Sequence, residues 1–235
     1  MTSTDLKISP ISIIIPARNE AATIKATIER TRQESILEVI VVDGNSTDDT
    51  RAIASQLGAR VIGSNPGRAL QMNAGAAIAG GEILLFLHAD TLLPADFTTL
   101  LTEILTRPGI SAGAFALALD LPGCAPRLLE KAIHFRSTFL QMPYGDQAIF
   151  LYRQKFLEIG GYPEEPILED VLLIQRLKQS GRIGIASQKA LTSGRRWQRL
   201  GLVKTTLINQ GIMLGHLLGV SPQRLQRWYG IAQKI

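Results

Sequence analysis

ILLFLHADTLLP, residues 83–94, drives five apolar residues straight into His88, Ala89 and Asp90 before Pro94 ends the pattern. An unbroken apolar run of this length, with no polar alternation, marks a strand buried on both faces. An acid at the end of such a strand is costly unless that end opens on something polar. Three earlier segments share the form. Residues 11–15 stop at Pro16, residues 38–42 stop at Asp43, and residues 59–62 stop at Gly63. Helical patterns lie between them. Residues 20–33 place Ala21, Ile24 and Ile28 at helical spacing. Residues 47–57 follow Ser46 or Thr47 as the cap, with Asp48 and Asp49 in the first turn, and residues 68–79 end at Gly80-Gly81. The order βαβαβαβ with apolar strands predicts an α/β fold with a mostly parallel central sheet flanked by helices.

The second half is looser. It reads as a helix over 95–106, a Gly- and Ala-rich strand over 111–120, a helical region over 125–138 and a strand over 147–151. Short helices follow at 153–159 and 170–180, then a strand over 182–192 and a helical tail over 199–230 broken near 219–222. No linker, repeat or low-complexity segment interrupts the chain. The expected organisation is one domain over 1–198 with a helical C-terminal extension over 199–235.

Composition narrows the function. The chain has 235 residues, 46% hydrophobic and 19% charged, which suits a globular protein with a sizeable core. A single cysteine, Cys124, allows no internal disulfide and no cysteine-based metal site, and is read as a loop residue. The first ten residues show no secretory signal, and no apolar run is long enough to span a bilayer; a cytoplasmic protein is expected. The net charge is +5 with cations concentrated late in the chain. No nucleic-acid-binding motif accompanies them, so nucleic acid is not expected as a partner. The apolar residues of the tail, with Arg224, Arg227 and Trp228, would suit packing on the sheet, a homodimer contact or peripheral attachment to a membrane.

In an open parallel sheet, ligands bind outside the carboxyl ends of the strands. Pro16 to Glu20, Asp43, the loop up to Arg68, and His88 to Asp90 all fall at such ends. Asp43 and Asp90 could instead cap the helices that follow them. No GxxxxGK[ST] and no GxGxxG is present, so a kinase, an ATPase or a nicotinamide-dependent dehydrogenase is disfavoured. A phosphate ligand here would be held by a divalent cation on Asp90 and by Arg or Lys groups.

Five segments carry a family likeness: SIIIPARNEAATI (12–24), EVIVVDGNSTDDT (38–50), NAGAAIAGGEILLFLHADTLLP (73–94), GGYPEEPILEDVLLIQRLKQSGR (160–182) and SGRRW (193–197). Together and in this order they resemble the family 2 glycosyltransferases, whose fold is called GT-A. FLHADTLLP, YGDQAIF and SGRRW further resemble a bacterial subgroup tied to arsenosugar biosynthesis. The resemblance implies a transferase that moves a sugar from a UDP- or GDP-linked donor to a hydroxyl acceptor, with Mg²⁺ or Mn²⁺ as cofactor.

It also implies roles for residues. Pro16, Ala17, Arg18, Glu20 and Asp43 would hold the base and ribose, together with Arg68, Asn73, His88 and Ala89 around the nucleotide sugar. Asp90 would bind the metal. Asp170 would be the general base, beside Glu169. Gly145, Asp146, Arg195, Arg196 and Trp197 would touch the acceptor or the diphosphate, with Arg195 and Arg196 on a mobile late loop. The chain departs from the family pattern at His88, which replaces the first acid of Asp-x-Asp, at Gly44, and at Met72, where Arg is common and for which Arg68 would substitute. Two other functions share this fold class: a sugar nucleotidyltransferase, which would need a glycine-rich basic loop after the first strand, and a non-catalytic sugar-nucleotide-binding protein.

Overall fold

The structure is a computed structural model that describes residues 9–234. The expectation about a secretory segment concerns residues that fall mostly outside this range. Strands β1 (Ile11–Ala17), β2 (Ile36–Asp43), β3 (Arg60–Gly63) and β4 (Ile83–Phe86) are parallel neighbours. Their lack of alternation has a direct cause. Ile11, Ile13 and Ile15 of β1 and Ile83 and Leu85 of β4 pack into one apolar cluster, while Ile14, Leu84 and Phe86 pack into another on the opposite face. Both faces are covered, so nearly every position is apolar; the buried Ser12 is the exception, its hydroxyl bonded to Glu38 and the Gly81 N–H.

The helices α1 (Ile24–Arg30), α2 (Thr50–Gln56), α3 (Arg68–Ile78) and α4 (Phe97–Leu105) follow the first half. Three start later than the sequence predicts, α1 and α2 by three or four residues and α4 by two. Ser46 Oγ accepts from the Asn19 N–H (2.9 Å), Asp48 Oδ2 from the Ala21 N–H (3.1 Å), and Asn19 Oδ1 from the Thr47 N–H (2.8 Å). These side chains strap the loop after β1 to the loop after β2. Neither Ser46 nor Thr47 caps a helix, and α2 begins only at Thr50.

The rest of the sheet is mixed. Strand β5 (Thr91–Leu92) is too short to carry a sequence pattern; β6 (Ile110–Asp120), β7 (Ile149–Tyr152) and β8 (Arg182–Ser193) match the expected segments. The order is β3-β2-β1-β4-β7-β6-β8-β5, with β7 antiparallel to both β4 and β6, β8 parallel to β6, and β5 antiparallel to β8. Direction decides what arrives where. Being antiparallel, β7 brings the turn that precedes it, Gly145–Gln147, to the carboxyl edge of β4. Being parallel to β6, β8 delivers Ser193 and the residues after it to that same edge. The Ser193 N–H donates to the Asp90 carbonyl (3.0 Å), and the buried Thr91 and Thr192 hydroxyls pair at 2.9 Å.

The remaining helices are α5 (Cys124–Phe139), α6 (Arg153–Glu158), α7 (Glu169–Lys178), α8 (Arg195–Leu200), α9 (Leu202–Leu217) and α10 (Pro222–Lys234). Cys124 opens α5 and is exposed, so it is a helix residue and not the loop residue expected. Arg195 and Arg196 sit in the first turn of α8, not in a loop. The same helix runs through residues 198 and 199, where the extension was expected to begin. α9 packs on α8 and α10.

Candidate active site

A cleft of about 900 Å³ opens at this carboxyl edge. Asp90 and Asp170, 80 positions apart in the chain, both line it. Asp90 lies four residues beyond the end of β4. It caps no helix, because the chain enters β5 at once. Asp170 stands in the first turn of α7, where helix N–H groups favour a carboxylate. Its Oδ2 accepts from the Gly145 N–H at 2.7 Å and its Oδ1 from the Val171 N–H at 2.8 Å. Leu168, two residues before Asp170, is held at φ 66, a left-handed conformation a branched side chain adopts only under constraint. That turn aims the Glu169-Asp170 pair into the cleft.

Arg195 crosses the cleft mouth. Its Nη2 lies 2.6 Å from Glu20 Oε2 and 3.2 Å from Asp90 Oδ2. A cationic group therefore already sits between two carboxylates at the proposed metal position. Arg68 Nη1 faces Glu169 Oε1 at 3.8 Å. Burial, and then the charge of Asp170, raise the pKa of Glu169. His88 is pushed down to about 3, first by burial and then by Arg68, so its imidazole is neutral at physiological pH. A Cβ at Gly145 would come within 2.9 Å of His88 Nε2 and 3.5 Å of Asp170 Oδ2. Glycine is required there because the backbone of 145 is wedged between the imidazole and the carboxylate.

The far end holds polar atoms without partners. Asp146 Oδ1, Arg196 Nε and Trp197 Nε1 are buried and unbonded within the protein. Arg196 Nη2 donates to Asn209 Oδ1 (2.9 Å), and Arg136 stacks over the Tyr144 ring at 3.5 Å. Burial raises the Asp146 carboxyl to about 6 from its ordinary 3.8, helped by Asp170 and opposed by Arg136. The folded state thus holds a proton that the unfolded chain releases near pH 3.8. Stability falls as pH rises through this window, and the loss is complete above about pH 6. Asp146→Asn is expected to stabilise the fold at pH 7 by up to about 3 kcal/mol, an advantage that disappears below about pH 4. Urea midpoints across pH 4–7 check this; an equal effect at both ends would contradict it.

Of the sequence-predicted residues, Pro16, Ala17, Arg18, Glu20, Arg68, His88, Ala89, Asp90, Asp146, Glu169, Asp170, Arg195, Arg196 and Trp197 line the cleft. Asp43, Asn73 and Gly145 do not. Asp43 is 1% exposed and accepts from the Ser46 N–H, with Arg51 at 3.7 Å. It fixes the loop after β2 in place of capping a helix. Asn73 clamps the backbone of Tyr162, donating to its carbonyl and accepting from its N–H, both at 2.9 Å. Gly145 works through its N–H from behind Asp170. Sequence reasoning missed Gln71, whose Nε2 donates to the carbonyls of Ala17 and Val42, and also Arg136, Tyr144, Asn209 and Tyr229. An amide at the buried face of α3 was the available signal for Gln71, and Tyr144 opens the YGDQAIF segment; Arg136, Asn209 and Tyr229 come from segments with no motif.

Among the described residues, no three His, Cys, Asp or Glu side chains cluster to hold a metal on their own. A cation here would need oxygens from a ligand beside Asp90.

Residues 12–160 match the model of the family described as "Glycosyl transferase family 2". Glucosyl-3-phosphoglycerate synthase from Mycobacterium tuberculosis is 35% identical over 116 residues, covering 43% of this chain and 35% of that protein. Succinoglycan biosynthesis protein ExoA from Rhizobium meliloti is 32% identical over 146 residues, covering 57% of this chain and 43% of that one. The chain thus aligns with under half the length of these relatives. The crystal structure of the M. tuberculosis synthase with Mn²⁺, UDP and glucosyl-3-phosphoglycerate superposes with a TM-score of 0.62 at 25% identity, covering 82% of this chain and 75% of that one. A mannosyltransferase from Pyrobaculum calidifontis, in complex with GDP-Man and Mn²⁺, gives 0.68 at 17% identity over 98% of this chain and 76% of that one, a likeness of fold. The architecture is the GT-A fold, and the chain belongs to glycosyltransferase family 2.

Proposed function

We propose that this chain is an inverting, divalent-cation-dependent glycosyltransferase. It moves a sugar from a UDP- or GDP-linked donor to the hydroxyl of an acceptor. The observation that supports this most is the meeting of Asp90 and Asp170 in one cleft, with a guanidinium already seated between Asp90 and Glu20. The donor set fits a cation because that position is anionic and oxygen-rich. Asp90 would hold Mg²⁺ or Mn²⁺, with Glu20 facing the same point, and the ion would neutralise the diphosphate as it leaves.

The chain's own groups do the rest. Pro16, Ala17 and Arg18 at the end of β1 take the base. Arg68 and Arg195 supply fixed positive charge where the leaving group gains negative charge. Asp170, with one oxygen on the Gly145 N–H and the other on the Val171 N–H, is held rigidly to accept the proton of the attacking hydroxyl. A single base opposite the leaving group gives inversion. Asp146, Arg196 and Trp197, which line the cleft, orient the acceptor's polar groups. FLHADTLLP, YGDQAIF and SGRRW support the finer reading, a bacterial enzyme of the arsenosugar-biosynthesis type. The single, unpaired Cys124 accords with a reducing, cytoplasmic setting.

A panel of UDP- and GDP-sugars assayed for hydrolysis tests the reading. One donor is expected to be consumed only with Mn²⁺ or Mg²⁺ present. Binding of UDP without metal, and with no donor consumed, would instead favour a non-catalytic binding protein.

A further inference from the structure

We infer that the C-terminal helices dock this protein onto an anionic lipid bilayer. The first observation is where the exposed apolar side chains lie. Among the described residues fifteen large ones are exposed, and eleven of these sit on or at the end of α5, α9 and α10. On α9 they recur at Val203, Leu207, Leu214 and Leu217, with Leu218 after it, a spacing that forms one stripe. Leu217 and Leu218 are 73% and 74% exposed. On α5, Leu128, Phe135 and Phe139 follow the same spacing, the two rings 4.6 Å apart. On α10, Trp228 and Ile231 stand one turn apart. Other positions of these helices face inward: Ile133 of α5, Asn209 and Met213 of α9 and Tyr229 of α10 line the cleft. The apolar stripes are therefore not the site's own lining, and patches of this kind mark an interaction surface.

The second observation is charge. The last acid in the chain is Asp170; residues 171–235 hold eleven Lys and Arg and no Asp or Glu. Arg224 and Arg227 are exposed on α10, one turn from Trp228 and Ile231. A symmetric dimer through the α9 and α10 stripes would set one acid-free region against another, which like charge opposes. A nucleic acid would leave the apolar stripes uncovered. An anionic bilayer surface answers both features: aliphatic and aromatic groups enter the acyl boundary while arginines meet phosphate. Among the described residues no helix is long and apolar enough to cross a membrane. The attachment is therefore to the surface.

The test is co-sedimentation of the full chain with vesicles. Binding to equimolar phosphatidylcholine and phosphatidylglycerol is expected to exceed binding to phosphatidylcholine alone by roughly tenfold or more, and to weaken as salt rises. A double variant, Leu207→Glu with Leu217→Glu, should lose about tenfold in vesicle binding while consuming sugar nucleotide in solution at the wild-type rate. Arg224→Glu with Arg227→Glu should remove the preference for the anionic lipid. Equal binding to both vesicle types, or to neither, would overturn the inference. So would a wild-type dimer that the leucine variant converts to monomer, since a second copy would then be the occupant.

Discussion

Asp170→Asn is expected to lower the rate of sugar transfer by roughly 10²- to 10⁴-fold, the usual contribution of a positioned general base. The substitution preserves shape and alters little else. In the folded protein Asp170 Oδ2 takes the Gly145 N–H and Oδ1 takes the Val171 N–H. An amide can satisfy one of these with its oxygen and must set its NH₂ against the other, which costs about 1 kcal/mol. That loss is small against the fold's total stability, so thermal unfolding should shift by only a few degrees. Binding of the nucleoside diphosphate should change little, because Asp170 is assigned to the acceptor's proton and not to the donor. Single-turnover rates with saturating donor and acceptor, beside a melting curve, check the prediction. A variant that keeps more than about a tenth of the wild-type rate would place the base elsewhere.

Asp90→Asn is the second large effect, an expected loss of about 10²- to 10³-fold in kcat/KM, equivalent to several kcal/mol of leaving-group stabilisation. It should appear with loss of metal response: adding Mn²⁺ should no longer accelerate the variant. Arg195→Ala supplies the contrast. Arg195 bridges Glu20 and Asp90 and is about half exposed, so its ion pairs contribute only about 0–1 kcal/mol. Removing it should strengthen binding of Mn²⁺ alone by up to about fivefold, since the two carboxylates are freed. Turnover should nevertheless fall, because a fixed positive charge near the leaving group is lost. Titrating Mn²⁺ by electron paramagnetic resonance, beside donor turnover, separates the two variants. Equal metal affinity in wild type and Arg195→Ala would remove Arg195 from the cation position.

The sequence shows clearly those parts that local chemistry dictates. Strands β1 and β4 and the end of β2 could be read because both their faces are buried and nearly every residue is apolar, and the acids at or beyond their ends stand out against that background. The later half resisted for a different reason. Thr91–Leu92 is too short to carry a pattern, and it becomes a strand only because β8 returns beside it. The late starts of α1 and α2 follow from Asn19, Ser46 and Asp48 bonding across two loops rather than along one helix. Asn73 reads as a ligand group until the fold sets its amide against the backbone of Tyr162. The bridge from Glu20 to Arg195 joins residues 175 positions apart. Such contacts depend on the direction of β7 and β8, which no local pattern reveals.

The central claim is that Asp90 and a donor diphosphate together make a cation site in the cleft that Asp170 shares. Its most direct test is Mn²⁺ binding to the wild-type chain with and without UDP or GDP, followed by electron paramagnetic resonance. The expected result is little bound Mn²⁺ with protein alone, stoichiometric binding once one nucleoside diphosphate is added, and loss of that binding in Asp90→Asn. Tight nucleotide binding that is indifferent to Mn²⁺ and to Asp90 would contradict it.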